Sequence, residues 1–188
     1  DPGMGGAICI KDGDVVQIYD TPRKKIIKSG KSKDDYDIAA LTLLMMPYAN
    51  KKHLFVIEDV HCMPGNGSVS MFGFGRGKGI LEGVGFALGF DVRYVPPQTW
   101  KKWYAELAPP VRTKKVKDLT PKSLKEKKAI AKEAAKQKRL VKALAKENAR
   151  KLAGTLYPSL VDRFKTVNSD GRAEAVLIAH YAEKNYTE

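Results

Sequence analysis

Residues 111–151 hold 16 Lys and Arg against 4 Asp and Glu, a local charge of +12 in a chain of 188 residues. Unpaired ammonium groups are costly to desolvate, so a stretch of this charge stays in water or lies against a polyanion. The other 147 residues are nearly neutral, with 18 basic and 17 acidic side chains. The net charge of +13 is thus the property of one segment, and it exceeds the magnitude of about 2–8 that solubility asks of a small domain. Phosphate is its chemical counterpart, which makes nucleic acid the first partner to consider.

Within that segment Thr120-Pro121 supplies a helix cap followed by proline at the first helical position. Beyond it Ile130, Ala134, Val141, Leu144 and Leu152 keep roughly helical spacing while lysines cover the other faces. The pattern predicts a basic helical extension at about residues 112–155, ending near Leu156, on a single domain spanning residues 1–188. A solvated surface helix is the plain reading of such a run. The charge excess favours phosphate contact instead, with Lys125, Lys128, Lys132 and Lys136 as the candidates.

The rest of the chain alternates strand and helix signals. Residues 6–19 place two β-rich runs around an Asp-Gly turn at Asp12-Gly13, which predicts a hairpin. A polar stretch over residues 20–33 follows. Residues 34–50 carry Ile38, Leu41, Leu44 and Met45 at helical spacing behind an aspartate cap. Residues 53–60 are a buried-strand run ending in Glu58 and Asp59. Glycine-rich residues 63–76 predict a loop, leading into a small-residue helix over 77–88 whose Gly79, Gly83 and Gly85 allow close backbone approach. A strand over 90–95, a helix starting at Trp100 and a last helix over about 171–185 complete an α/β order.

Cys9 and Cys62 both sit in apolar runs, which suits reduced, buried thiols. No apolar stretch reaches the ~18 residues of a membrane span, and no signal-peptide pattern opens the sequence. The expectation is a cytoplasmic protein, in an infected host cell if phage-encoded, or one of a DNA-containing organelle, neither secreted nor membrane-bound.

Four acids stand where a site can form: Asp1 before Pro-Gly, Glu58 at the end of an apolar strand, and Asp170 and Glu174 one helical turn apart. Carboxylates converging from distant chain positions hold hard cations such as Mg²⁺. Two such ions about 3.5–4 Å apart support phosphodiester hydrolysis. Taken singly, each acid also reads as a solvated turn residue or, for Asp170, a helix cap. The Gly-rich stretch lacks the spacing of a Walker or Rossmann loop. With Met71, Phe72, Phe74 and Arg76 it reads better as a mobile, aromatic DNA-contact loop. His53, His61 and His180 show no zinc-ligand spacing with the cysteines.

Six landmarks then follow in one order: Asp1-Pro-Gly with Gly6-Ala7, Ile57-Glu58, Ser70-Met-Phe-Gly-Phe-Gly-Arg76, Pro97-Gln-Thr-Trp-Lys101, Leu156-Tyr-Pro-Ser-Leu160 and Asp170-Gly-Arg-Ala-Glu-Ala-Val-Leu-Ile-Ala179. Together they cover most of the chain, and in this register the sequence resembles the RuvC-like Holliday-junction resolvases of the ribonuclease H-like superfamily, phage-encoded and chloroplast members most nearly. The resemblance implies a ribonuclease H-like mixed central sheet flanked by helices, a homodimer, and an apolar half-strand ahead of Asp1. It also implies two Mg²⁺ ions per active site, with Mn²⁺ as a substitute, held by Asp1, Glu58, Asp170 and Glu174.

The function expected from these residues is Mg²⁺-dependent, structure-selective DNA cleavage that resolves four-way junctions, with Lys101 or Lys102 holding the scissile strand's phosphate. The alternatives are a broader nuclease for branched DNA or RNA–DNA hybrids, and a non-catalytic junction-binding protein.

Overall fold

The structure is a computed structural model and describes residues 1–49, 53–61, 67–104 and 124–186. Strands β1 (Ala7–Asp12) and β2 (Val15–Asp20) form the expected hairpin, closed by Gly13-Asp14 with Gly13 in the left-handed region at φ 55°. A second hairpin, β3 (Arg23–Lys28) and β4 (Lys31–Tyr36), occupies the polar stretch for which sequence patterning gave no element. Its turn residues Ser29 (φ 53°) and Gly30 (φ 71°) are both left-handed, the requirement of a two-residue hairpin turn with the right twist. Lysines on both strands hide the alternation that would have revealed them.

The helix expected over residues 34–50 begins later, as α1 (Ile38–Met45), because residues 34–36 belong to β4. Asp37 is its cap and accepts the Ala40 N–H at 3.1 Å. Next come β5 (Leu54–Glu58), α2 (Ser68–Ala87) and β6 (Asp91–Val95), and β5 pairs in parallel with β6 from Leu54↔Asp91 to Glu58↔Val95. A parallel pair requires a crossover, and α2 provides it.

Residues 68–76 of the glycine-rich stretch are therefore corrected from loop to helix, while residues 63–66 lie outside the described residues. Met71, Phe72, Phe74 and Arg76 lie on the first turns of α2, not on a mobile loop. Glycine lowers helix propensity, but packing of the helix decides the outcome. A Cβ on Gly77 would stand 2.6 Å from the Pro2 carbonyl oxygen, and one on Gly85 would stand 2.8 Å from the Phe55 ring, whereas Gly79 and Gly83 face open space. Helix α3 (Pro97–Trp103) starts three residues earlier than expected, with Pro97 at its first position. Helix α4 (Leu124–Leu156) ends at the expected residue, while Thr120-Pro121 lies outside the described residues. Short 3₁₀ turns over Pro158–Phe164 and Val167–Ser169 lead into α5 (Asp170–Tyr186).

The elements form a mixed α/β arrangement in which β1, β5 and β6 stand between two helical layers. Ala7 packs with Val95, Trp100, Ala153, Val176 and Leu177 on the α3–α5 side. Its neighbour Ile8 packs with Leu41, Ile57, Leu81 and Val84 on the α1–α2 side. Successive strand residues facing opposite layers place β1 and β5 in one plane. The expected continuous mixed sheet is seen only in pieces: among the described residues β1 pairs with β2, β3 with β4 and β5 with β6. Between β1 and β5 runs an apolar slot of about 360 Å³, lined by Ile10, Phe55, Ile57, Leu81, Phe90 and Ile178 among others.

The half-buried Cys9 is unbonded, and burial pushes its thiol up to about 12. Cys62 lies outside the described residues. No described helix is long and apolar enough to cross a membrane.

A Cβ on Gly171 would meet the Gly5 carbonyl oxygen at 2.4 Å and the Gly6 Cα at 2.7 Å, both backbone. Gly171→Ala is expected to destabilise the protein by about 1–3 kcal/mol, the usual cost of overpacking. Gly79→Ala, on an open helix face, should stabilise it by roughly 0.5–1 kcal/mol. Urea unfolding of both variants checks the contrast, and equal shifts in the same direction would contradict it.

Candidate functional site

The four acids singled out in the sequence line one cavity of about 600 Å³: Asp1, Glu58, Asp170 and Glu174. Each arrives there for a local reason. Asp1 is set by a tight turn in which Gly3 N–H donates to the Asp1 carbonyl at 3.0 Å and Gly6 N–H to the Gly3 carbonyl at 2.9 Å. A Cβ on Gly6 would fall 2.1 Å from the Asp1 carbonyl oxygen, so only glycine permits this fold-back. The Asp1 nitrogen donates to the Ala7 carbonyl at 3.2 Å.

Glu58 ends β5 and is 5% exposed. The indole N–H of Trp100, a fully buried residue of α3, donates to its Oε1 at 2.9 Å. Asp59, next in sequence, engages other groups, Lys78 and His61, as strand alternation requires. Asp170 opens α5 and Glu174 follows one turn later. An acid in the first turn of a helix meets the positive end of its dipole.

Protein cations answer these carboxylates. Lys101 Nζ lies 2.9 Å from Glu174 Oε1 and 3.9 Å from Glu58 Oε1. Lys146 Nζ lies 2.6 Å from Asp170 Oδ2, and Arg150 grips Oδ1 of the same carboxylate. Burial pushes the Glu58 carboxyl above the ordinary range; Lys101 and the Trp100 hydrogen bond oppose the shift, and Glu174 adds to it.

Four carboxylates around one cavity are a donor set for a hard cation that prefers oxygen, so the residues fit Mg²⁺ in chemistry. Among the described residues no three His, Cys, Asp or Glu side chains stand together as a ready-made cage. Asp170 pairs with Lys146 and Arg150 of α4, while Lys101 stands between Glu174 and Glu58.

The remaining expected residues divide. Phe74 and Lys101 line the same cavity, and Lys102 is exposed on α3. Met71 is half-buried and Phe72 is exposed on α2. Arg76 is held by both carboxylate oxygens of Asp35 and lies over the Tyr36 ring, so it ties α2 to β4. Lys132 and Lys136 are exposed on α4; Lys125 and Lys128 are on the same helix, with side chains that lie outside the description.

Sequence patterning does not single out Lys142, Lys146 and Arg150, of which the two lysines line the cavity. Their spacing of four residues, interleaved with Ala145, Ala149 and Ala153, was the available signal: a cationic row beside a small-residue row on one helix face. It is masked by the many other lysines of α4.

In comparisons with known proteins, no family model and no curated protein matches this chain.

A carboxyl with a folded pKa above its unfolded value near 4.3 adds stability at low pH and loses that contribution as pH rises through the folded value. Glu58 is such a group. In chelator-treated buffer Glu58→Gln should therefore melt above the wild type at pH 7, with the difference closing as pH falls to about 4. Thermal melts across this range check it; a variant less stable at pH 7 would contradict the sign.

Proposed function

We propose that this protein is a Mg²⁺-dependent, structure-selective DNA endonuclease of the RuvC-like kind, cutting four-way junctions as a homodimer. The observation that carries the reading is the convergence of Asp1, Glu58, Asp170 and Glu174, from three distant parts of the chain, on one cavity shared with Lys101, Lys142 and Lys146. Acids that fix hard cations next to lysines that attract phosphate are the two needs of phosphodiester hydrolysis.

When bound, Mg²⁺ would supply Lewis acidity and an activated water for attack on phosphorus. Asp1, Glu58, Asp170 and Glu174 would hold it, and Mn²⁺ in its place. Lys101, at the cavity wall, is set to orient a phosphate of the scissile strand. Trp100 fixes the Glu58 carboxylate and excludes water from its rear. Val69 and Phe72 stand 86% and 75% exposed on α2, apolar surface that a second copy would cover. Phe74, at the cavity wall, is the aromatic left to wedge between bases of an opened junction. Exposed lysines of α4 would track the DNA backbone. Such a protein belongs in a reducing, DNA-containing compartment.

Cleavage of an end-labelled immobile junction with Mg²⁺, Ca²⁺ or no metal tests the proposal, beside a flap and an RNA–DNA duplex. Paired nicks with Mg²⁺ alone, and on the junction foremost, are expected. Glu58→Gln should abolish them while junction binding survives, because that carboxylate's task is to hold a cation. Equal cutting of all three substrates favours the broader nuclease, and no cutting favours a binding protein.

The basic helix gives a second expectation. Changing Lys125, Lys128, Lys132 and Lys136 together to Gln should flatten the slope of log K against log salt by up to about 3.6, since each phosphate left without its lysine removes ~0.9 from that slope. Junction and duplex affinity should both fall, and their ratio should move much less, because phosphate contacts carry no sequence information. Fluorescence anisotropy over a salt series measures both, and an unchanged slope would return α4 to a solvated surface helix.

A further inference from the structure

Resting on the nuclease reading above, we propose that Lys146 is a positioning residue with two partners: it holds Asp170 in the cation-free protein, and turns to a phosphate of bound DNA once a divalent cation takes that carboxylate.

The two cations on Asp170 are built differently. Arg150 is only 16% exposed in its side chain and binds Oδ1, so it acts as a fixed strap between α4 and α5. Lys146 is 39% exposed, binds Oδ2 and lines the cavity. A lysine is a compact charge on a flexible four-carbon stem with rotatable donors, whereas an arginine fork is planar and committed to its partner. Asp170 can thus keep Arg150 on one oxygen while the other is exchanged.

Charge balance gives the exchange its direction. Three of the cavity's four carboxylates stand beside protein cations, Glu174 and Glu58 beside Lys101 and Asp170 beside Lys146 and Arg150. Adding divalent cations leaves Lys101, Lys146 and Arg150 in excess positive charge, which an entering phosphodiester would offset. Lys142 stands one turn away on the same wall, so a phosphate drawn to Lys146 meets a second ammonium there. Lys146 therefore competes with the cation before binding and cooperates with the DNA afterwards.

The test titrates Mn²⁺ into intact wild type, Lys146→Gln and Lys146→Arg proteins, with free Mn²⁺ followed by electron paramagnetic resonance. Removing a part-exposed competing ion pair should tighten Mn²⁺ binding about two- to fivefold in Lys146→Gln. Lys146→Arg, which keeps the charge and commits a planar fork to Asp170, should bind Mn²⁺ no more tightly than wild type. In Ca²⁺, Lys146→Gln should also lower the salt slope of junction binding by about 0.9, and Lys146→Arg should restore it. Gln preserves helix propensity, and a melting curve matching wild type confirms the fold. A purely structural strap would lower the melting temperature and leave Mn²⁺ affinity and salt slope alone. Either quantity unchanged in the Gln variant overturns the proposal. A wild type that binds no Mn²⁺ at all overturns the nuclease reading itself, a separate and recognisable result.

Discussion

The arrangement of this molecule hangs on the close approach between the start of α5 and the Gly5–Gly6 backbone. Gly171 comes so near that a methyl group there would overlap a carbonyl oxygen. That approach sets Asp170 and Glu174 beside Asp1, although more than 160 residues separate them in sequence. It also seats α5 across β1, with Ala173, Val176 and Leu177 buried against Ala7 and Trp100. Small residues do the same for α4, whose Ala149 and Ala153 let it lie near enough for Lys146 and Arg150 to reach Asp170. Backbone proximity comes first, and the charged groups follow from it.

The charged groups in turn show how a cavity with four acids coexists with a stable core. Carboxylates buried without partners would raise their pKa or unfold the chain. Glu58 is deep enough for burial to raise its carboxyl, and it receives the Trp100 N–H. Glu174 and Asp170 are answered by lysine or arginine from α3 and α4. These ion pairs tie the acids to the neighbouring helices: Lys101 of α3 stands between Glu174 and Glu58, and Lys146 and Arg150 of α4 hold Asp170. The long basic helix is thereby part of the site and more than an appendage: its inner face holds Asp170 while its outer face presents lysine to solvent.

Much of this is legible in the sequence, and the failures have physical causes. The Asp-Gly hairpin, the apolar run of β5, the end of α4 and the start of α5 each rest on a local signal strong enough to stand alone. The β3–β4 hairpin escapes because both strands are Lys-rich and exposed, with Ile27 76% exposed, so no buried face imposes an alternation. The first half of α2 reads as a loop because Gly73 and Gly75 lower propensity, yet the helix is held by the Arg76–Asp35 pair and by Gly77 against Pro2. Both are tertiary effects. The four acids stand out from spacing and resemblance, whereas Lys146 and Arg150 escape because nothing local separates them from their many lysine neighbours.

The central claim is that these acids form a centre for divalent cations. Its most direct test is a crystal of the protein soaked in Mn²⁺ and measured for anomalous scattering at the manganese edge. The account predicts anomalous peaks inside the cavity bounded by Asp1, Glu58, Asp170 and Glu174, with Lys146 displaced from Asp170. Full occupancy of Mn²⁺ elsewhere, or an unaltered Lys146–Asp170 pair with no peak in the cavity, would contradict it.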